Sequence, residues 1–70
     1  MELKIGHKYR VLPIEFKNEI IGEVMKIYEN TALILVEKYD EKDRIAVIDK
    51  HQRVLVKKEN VLDEILEKAS

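Results

Sequence analysis

The segment Ala32-Leu33-Ile34-Leu35-Val36 is the longest uninterrupted apolar run in this sequence. Its residues are apolar at odd and even positions alike, whereas a strand with one face in water alternates apolar and polar residues. Both faces of a strand formed here are therefore expected to be covered. We predict a central β-strand at this position and place the middle of the core there.

A second long strand is predicted just before it, over residues 20–28. Gly22 lies inside this segment, and a glycine within a strand marks a bulge or a close approach of another backbone. The apolar phase also slips between Val24 and Ile27, as a bulge allows. Asn30, in the connection to the central strand, is suited to the left-handed conformation of a tight hairpin.

Three more strands complete the prediction. The first covers Tyr9 to Phe16 and is expected at an edge or with a bend, because Pro13 cannot donate to a ladder. After a solvated loop at residues 40–43, the fourth strand is predicted over 44–48 and the fifth over 53–57.

The pattern changes after Lys58. A single helical stripe with a good N-cap at Asn60 predicts a short helix over about residues 60–69; the stripe consists of Val61, Leu62, Ile65, Leu66 and Ala69. The alternative is a one-turn 3₁₀ element at 58–61 followed by a strand at 62–66. We favour the helix, because its apolar spacing fits better.

These elements predict a mainly β fold: a small five-stranded antiparallel SH3-like barrel over about residues 5–57, closed by the C-terminal helix. The 70 residues form one domain, 1–70, with no cysteine and therefore no disulfide. No apolar run approaches the roughly 20 residues that span a bilayer. Residues 1–6 have no secretory pattern, so we expect no membrane association and a cytoplasmic location.

The residues needed for catalysis are scarce. The hydroxyl nucleophiles are Thr31 and Ser70, and the histidines are His7 and His51, without metal-ligand spacing. The acidic loop at 40–43 lacks the glycine and glutamate of a calcium-binding loop, and no glycine-rich phosphate loop is present. We therefore expect no enzyme activity, no metal and no cofactor.

The net charge is −1, yet residues 50–58 carry four basic and no acidic residues. If barrel closure brings the first strand beside the fifth, a basic stripe forms with an aromatic ring that could stack on a base. The candidate nucleic-acid-binding residues are Lys8, Tyr9, Arg10, Lys50, His51, Arg53, Lys57 and Lys58. The alternative is an ordinary edge strand whose basic residues discourage aggregation.

Three segments resemble KOW-type and Tudor-like barrels: Gly6-His7-Lys8-Tyr9-Arg10-Val11, Ile21 to Ile27, and Ala32 to Val36. The likeness covers about residues 5–57 and is closest to small uncharacterised KOW-like proteins of Gram-positive bacteria and their phages. It implies binding of RNA, or of ribosomal and transcription proteins. The chain departs from the pattern at His7, where an acid commonly follows the glycine, and in its acidic overall charge.

Two functions remain open at this point. The first is a non-enzymatic binding module that recognises nucleic acid, RNA or single-stranded DNA, through the basic stripe. The second is a protein-interaction or self-associating domain that uses an apolar strip on an edge strand or on the helix. The expected partner is a protein or a nucleic acid, and the expected state is a monomer or a weak homodimer.

Overall fold

The computed structural model describes residues 2–66. These residues form one antiparallel sheet with the strand order β4-β3-β2-β1-β5. The elements are β1 Lys8–Val11, β2 Ile20–Ile27, β3 Thr31–Lys38, α1 Arg44–Asp49, β4 Arg53–Lys57 and β5 Val61–Ile65, with 3₁₀ turns at Glu41–Asp43 and Lys58–Asn60. The predicted mainly β class with five antiparallel strands is confirmed. Among the described residues β4 and β5 do not pair, so the sheet is open and these strands are its edges.

The predicted central strand is β3, which pairs with β2 on one side and β4 on the other. Ala32, Ile34 and Val36 are buried on its inner face, where they meet the core side chains of the other strands. Leu33 and Leu35 point to the outer face and are only half-buried. The outer face of β3 is therefore less covered than its uniformly apolar sequence predicts.

Gly22 allows β2 and β3 to approach closely, as the sequence predicted. A Cβ atom at this position would lie 2.4 Å from Ile34 Cγ2 and 2.5 Å from the Leu35 carbonyl oxygen. The pairing of β2 with β3 shifts register beside Gly22 and again between Val24 and Lys26. The bulge inferred from the apolar phase slip is thus confirmed.

The predicted fourth strand at residues 44–48 is wrong: this segment is the helix α1. A short run of apolar residues fits either element, and the preceding turn decides between them. The Asp40 carboxylate caps that turn by accepting a hydrogen bond from the Lys42 backbone N–H at 2.8 Å. In the helix Val47 is buried, whereas Ile45 is 77% exposed.

The predicted solvated loop at 40–43 is also wrong in part, because it forms a 3₁₀ turn whose last residue, Asp43, is buried. The expectation for Asn30 fails as well. Among residues 2–66, the non-glycine residues with positive φ are Glu15, His51 and Gln52. The hairpin at Asn30 closes instead through a 2.8 Å hydrogen bond from the Tyr28 N–H to the Thr31 carbonyl oxygen.

The C-terminal helix predicted over 60–69 is wrong for the residues described, since Val61–Ile65 is the strand β5. The alternative, a 3₁₀ turn followed by a strand, matches the structure within about one residue. The strand forms because β1 has an edge not used by β2, and pairing with that edge satisfies the backbone groups of β5. Positions 67–69 of the predicted helix lie outside the described residues.

The first strand is shorter than predicted, because β1 ends at Val11 and residues 12–19 form a loop. Pro13 and Phe16 are both buried and close a turn, with the Phe16 N–H bonded to the Pro13 carbonyl oxygen at 3.2 Å. The chain thus bends at the proline, as expected. None of the helices in the described part of the chain has the length and apolar character needed to cross a membrane.

Candidate functional site at the edge strand β4

Tyr9 does not lie on the surface. Its ring is completely buried in the core, and its hydroxyl oxygen accepts a 3.0 Å hydrogen bond from the Lys4 backbone N–H. The ring is therefore unable to stack on a base, which was the role the sequence suggested for it.

The two cations of β1 are engaged with acidic residues. Lys8 Nζ lies 3.1 Å from Glu37 Oε1, and Arg10 Nε lies 2.9 Å from Asp63 Oδ1 and 3.8 Å from Glu19 Oε1. In the sheet, β2 and β3 separate β1 from β4. The strand order thus does not join Lys8 and Arg10 to the basic residues of β4.

Lys50 and His51 belong to the connection between α1 and β4. Lys50 Nζ forms an ion pair with Glu15 Oε2 at 3.2 Å, which links this connection to the loop at 12–19. His51 is exposed and has a φ of 56°, at the point where the helix ends. Its backbone conformation gives it a structural role in that helix terminus.

The remaining candidates, Arg53, Lys57 and Lys58, are exposed. Within residues 2–66, none of the three has a carboxylate within ion-pair distance. Arg53 and Lys57 point to the outer face of β4, and Leu55 lies between them on the same face, 49% exposed. The basic site is therefore smaller than the sequence predicted. It consists of Arg53 and Lys57 on the edge strand β4 and of Lys58, which follows that strand.

The hydrogen-bonding direction of β4 follows from two bonds at its ends. The Val36 N–H donates to the Gln52 carbonyl oxygen at 2.7 Å, and the Lys58 N–H donates to the Asn30 carbonyl oxygen at 3.0 Å. Both bonds join even-numbered residues, and bonded pairs in an antiparallel ladder recur at every second residue. The even-numbered residues of β4 therefore direct their main-chain groups towards β3.

The odd-numbered residues Leu55 and Lys57 direct their N–H and C=O groups the other way, to the outer edge of the sheet. In the part of the chain that the structure describes, no strand pairs with this edge. A row of unpaired main-chain groups is a template on which another extended chain can add.

A groove of about 380 Å³ lies between the loop at 12–19 and the strands β3 and β4. Ile14 and Glu15 of the loop line it together with Leu33, Leu55 and Arg53. Ile14 is half exposed, so the groove presents apolar surface next to a basic residue. The sequence pattern assigned Ile14 to the first strand, whereas the structure places it in the loop after β1.

A larger depression of about 600 Å³ is lined in part by Arg10, Lys17, Lys38 and Tyr39. Tyr39 is a partly exposed aromatic residue that no sequence motif singled out. Glu19 and Asp40 also line this depression, so its charge is mixed. Over residues 2–66, no group of three His, Cys, Asp or Glu side chains is arranged to hold a metal ion.

No family model matches this chain, and neither the curated proteins nor the solved structures contain a match to it.

Proposed function

We propose that this protein is a non-enzymatic binding module whose ligand is an extended, acidic segment of a partner protein, added antiparallel to β4. One observation carries the proposal: within residues 2–66, β4 is an edge strand whose main-chain groups at Leu55 and Lys57 are unpaired. The main chain of the ligand provides affinity at such an edge, and the alternating side chains provide specificity.

The charge and the apolar surface around β4 indicate which kind of segment it binds. Arg53, Lys57 and Lys58 are cations without an ion-pair partner in the described chain, so acidic side chains of the ligand complement them. Leu55 and Ile14 offer apolar contact to the residues between those acids. A segment that alternates acidic and aliphatic residues fits both features.

We also propose that the sheet curls into an SH3-like barrel. The strand order β4-β3-β2-β1-β5, with a 3₁₀ turn that joins β4 to β5, agrees with that topology. The two register shifts between β2 and β3 and the close approach at Gly22 are the local features by which short strands bend strongly.

Nucleic acid is the competing ligand for the same residues. A single-stranded nucleic acid uses a cationic groove and exposed aromatic rings on which its bases stack. Arg53, Lys57 and Lys58 supply the charge, but Tyr9 is buried in the core. We therefore favour the protein segment and treat nucleic acid as the alternative outcome of the test.

The test is a titration of the ¹⁵N-labelled full chain, followed through its amide resonances. The probes are a capped peptide alternating Glu with Val and Thr, the same peptide with Lys in place of Glu, and an oligouridylate. We expect the acidic peptide to shift the amides of Leu55 and Lys57, and the basic peptide to leave them unchanged. Binding of the oligouridylate alone, or no shift in β4 with any probe, would contradict the proposal.

A matched pair of proline variants separates edge binding from a fold defect. Leu55→Pro removes an N–H that points to the free edge, so the sheet should persist while peptide binding is lost. Val54→Pro removes an N–H that bonds to β3 and should destabilise the whole sheet. If Leu55→Pro keeps the spectrum of a folded sheet and still binds the acidic peptide with undiminished affinity, strand addition at β4 is wrong.

A further inference from the structure

The sheet has a second edge, β5, whose charge is opposite to that of β4. Asp63 and Glu64 lie on β5, which contains no basic residue. Arg53 and Lys57 lie on β4, which contains no acidic residue. Each edge strand is five residues long, so the molecule presents two short edges of opposite sign.

The main-chain direction of β5 follows from the pairing of its neighbour. The Val24 N–H donates to the His7 carbonyl oxygen at 3.0 Å, so the odd-numbered residues of β1 bond to β2. The even-numbered ones, such as Lys8, bond to β5, where Lys8 lies opposite Ile65. Glu64, the neighbour of Ile65, therefore directs its N–H and C=O groups to the free edge.

The acidic side chains of β5 keep part of their capacity to accept hydrogen bonds. Asp63 uses Oδ1 to bind Arg10, and Glu64 uses Oε2 to bind the His7 ring nitrogen, both at 2.9 Å. Both carboxylates are partly exposed. Leu66, just beyond the strand, is 80% exposed and is an uncovered apolar residue at the same edge.

We infer that the acidic segment that adds to β4 is β5 of a second copy of this chain. This inference rests on the proposed function, because it names the ligand of the same edge. One antiparallel register places Lys57 opposite Glu64 of the second copy, and this register also places Leu55 opposite Leu66 of the second copy. A charge pair and an apolar pair then lie side by side across the new strand boundary, and such cross-strand pairs stabilise a sheet.

The contact is head-to-tail, because each copy uses β4 towards one neighbour and β5 towards the other. Contacts of this kind form a ring where the rotation closes and an open chain of subunits where it does not. The net charge of −1 leaves little electrostatic repulsion between copies. The association is therefore expected to grow with concentration and to weaken as salt is added, since salt screens exposed charge pairs.

The test is sedimentation velocity on the full chain over a range of concentrations, with two proline variants. Leu55→Pro blocks the free edge of β4, and Glu64→Pro blocks the free edge of β5. In both variants the backbone N–H that is lost points away from the sheet, and Glu64→Pro also removes the carboxylate that binds His7. We expect the wild type to increase in mass with concentration and each variant alone to be monomeric. A mixture of the two should form a one-to-one dimer, since only one productive pair of edges remains.

The charge variant Lys57→Glu tests the same contact without proline, because it places like charges opposite each other at Glu64 of the second copy, and it should weaken self-association at least tenfold. A wild type that stays monomeric at every concentration overturns the inference. So does a mixture of the two proline variants that forms no dimer although each variant is folded. If the wild type is monomeric but the acidic peptide still shifts Leu55 and Lys57, the proposed edge binding stands and only the identity of the partner is wrong.

Discussion

The Asp43 carboxylate holds Asn18 through two hydrogen bonds, from the backbone N–H at 3.2 Å and from the side-chain Nδ2 at 3.3 Å. A third bond comes from the Lys17 backbone N–H at 3.4 Å. Asp43 is only 5% exposed, and it joins the 3₁₀ turn before α1 to the loop that precedes β2. Asp43 thus anchors the loop at Lys17 and Asn18, whereas Ile14 and Glu15 of the same loop line the groove next to β4.

Replacing Asp43 should therefore destabilise the protein. Asp43→Ala leaves part-buried amide donors without an acceptor, and we expect a loss of about 2 kcal/mol in the free energy of unfolding. Urea denaturation measures this value. Asp49→Ala, at an exposed position of α1, is the control and should change stability by less than about 0.5 kcal/mol. Equal effects for the two variants would show that the Asp43 contacts do not stabilise the fold.

Gly22→Ala should be strongly destabilising, because the new methyl group would overlap Ile34 and the Leu35 carbonyl. Overpacking against a backbone atom costs about 1–3 kcal/mol, and we expect the upper part of that range. Gly6→Ala is the matched control: nothing lies within 4 Å of the added atom, although its φ is +88°. Strain alone then costs about 1 kcal/mol. A thermal unfolding series that ranks Gly6→Ala as the more damaging change would mean that β2 and β3 separate at little cost.

His51 should be replaceable by glycine with a gain in stability. The helix α1 ends with bonds from the His51 N–H to the Ile48 carbonyl oxygen and from the Gln52 N–H to the Val47 carbonyl oxygen. This is the Schellman pattern, in which the residue with positive φ is usually glycine. Relief of strain at φ 56° should raise the unfolding free energy by about 0.5–1 kcal/mol.

The control for this change is Lys50→Gly, one residue earlier, where φ is −96°. Glycine has no conformational advantage there and should lower stability. Thermal melts of the two variants should move in opposite directions from the wild type. A lower melting temperature for His51→Gly would mean that the imidazole makes a stabilising contact that outweighs the backbone strain.

Tyr9→Phe should cost about 1 kcal/mol, because the Lys4 N–H loses its hydrogen-bond acceptor while the ring remains buried. Tyr28→Phe, at a half-exposed ring, is the control and should be nearly neutral. Chemical denaturation of both variants checks the difference. If Tyr9→Phe is as stable as the wild type, the hydroxyl contributes nothing to the position of residue 4.

Several elements could be predicted because their signals are local. Gly22 with the phase slip after Val24 indicated the bulged strand, and the apolar run from Ala32 indicated the strand with neighbours on both sides. The segment after Asp43 was misassigned because a short apolar run fits a strand or a helix equally well, and the capped turn at Asp40 favoured the helix. The segment after Asn60 was misassigned because the deciding factor, an open edge on β1, is far away in sequence.

The candidate site, too, could be predicted from the sequence only in part. The concentration of positive charge between Lys50 and Lys58 was visible in the sequence, whereas the burial of Tyr9 and the ion pairs of Lys8, Arg10 and Lys50 were not. Pairing of side chains from distant strands depends on register, and a one-residue shift moves a side chain to the other face. Which cations have an acidic partner among the described residues could therefore be decided only in three dimensions.

The sequence by itself determined that the chain is mainly β, where its middle strand lies and where its positive charge is concentrated, because these properties depend on residue type and on periods of two. The tertiary structure alone decided that β4 and β5 are the edges of the described sheet, that Tyr9 belongs to the core, and that Ile14 and Leu55 line the same groove. These relations join residues that are distant along the chain, and they follow from which backbone groups and apolar surfaces find partners when the whole sheet has formed.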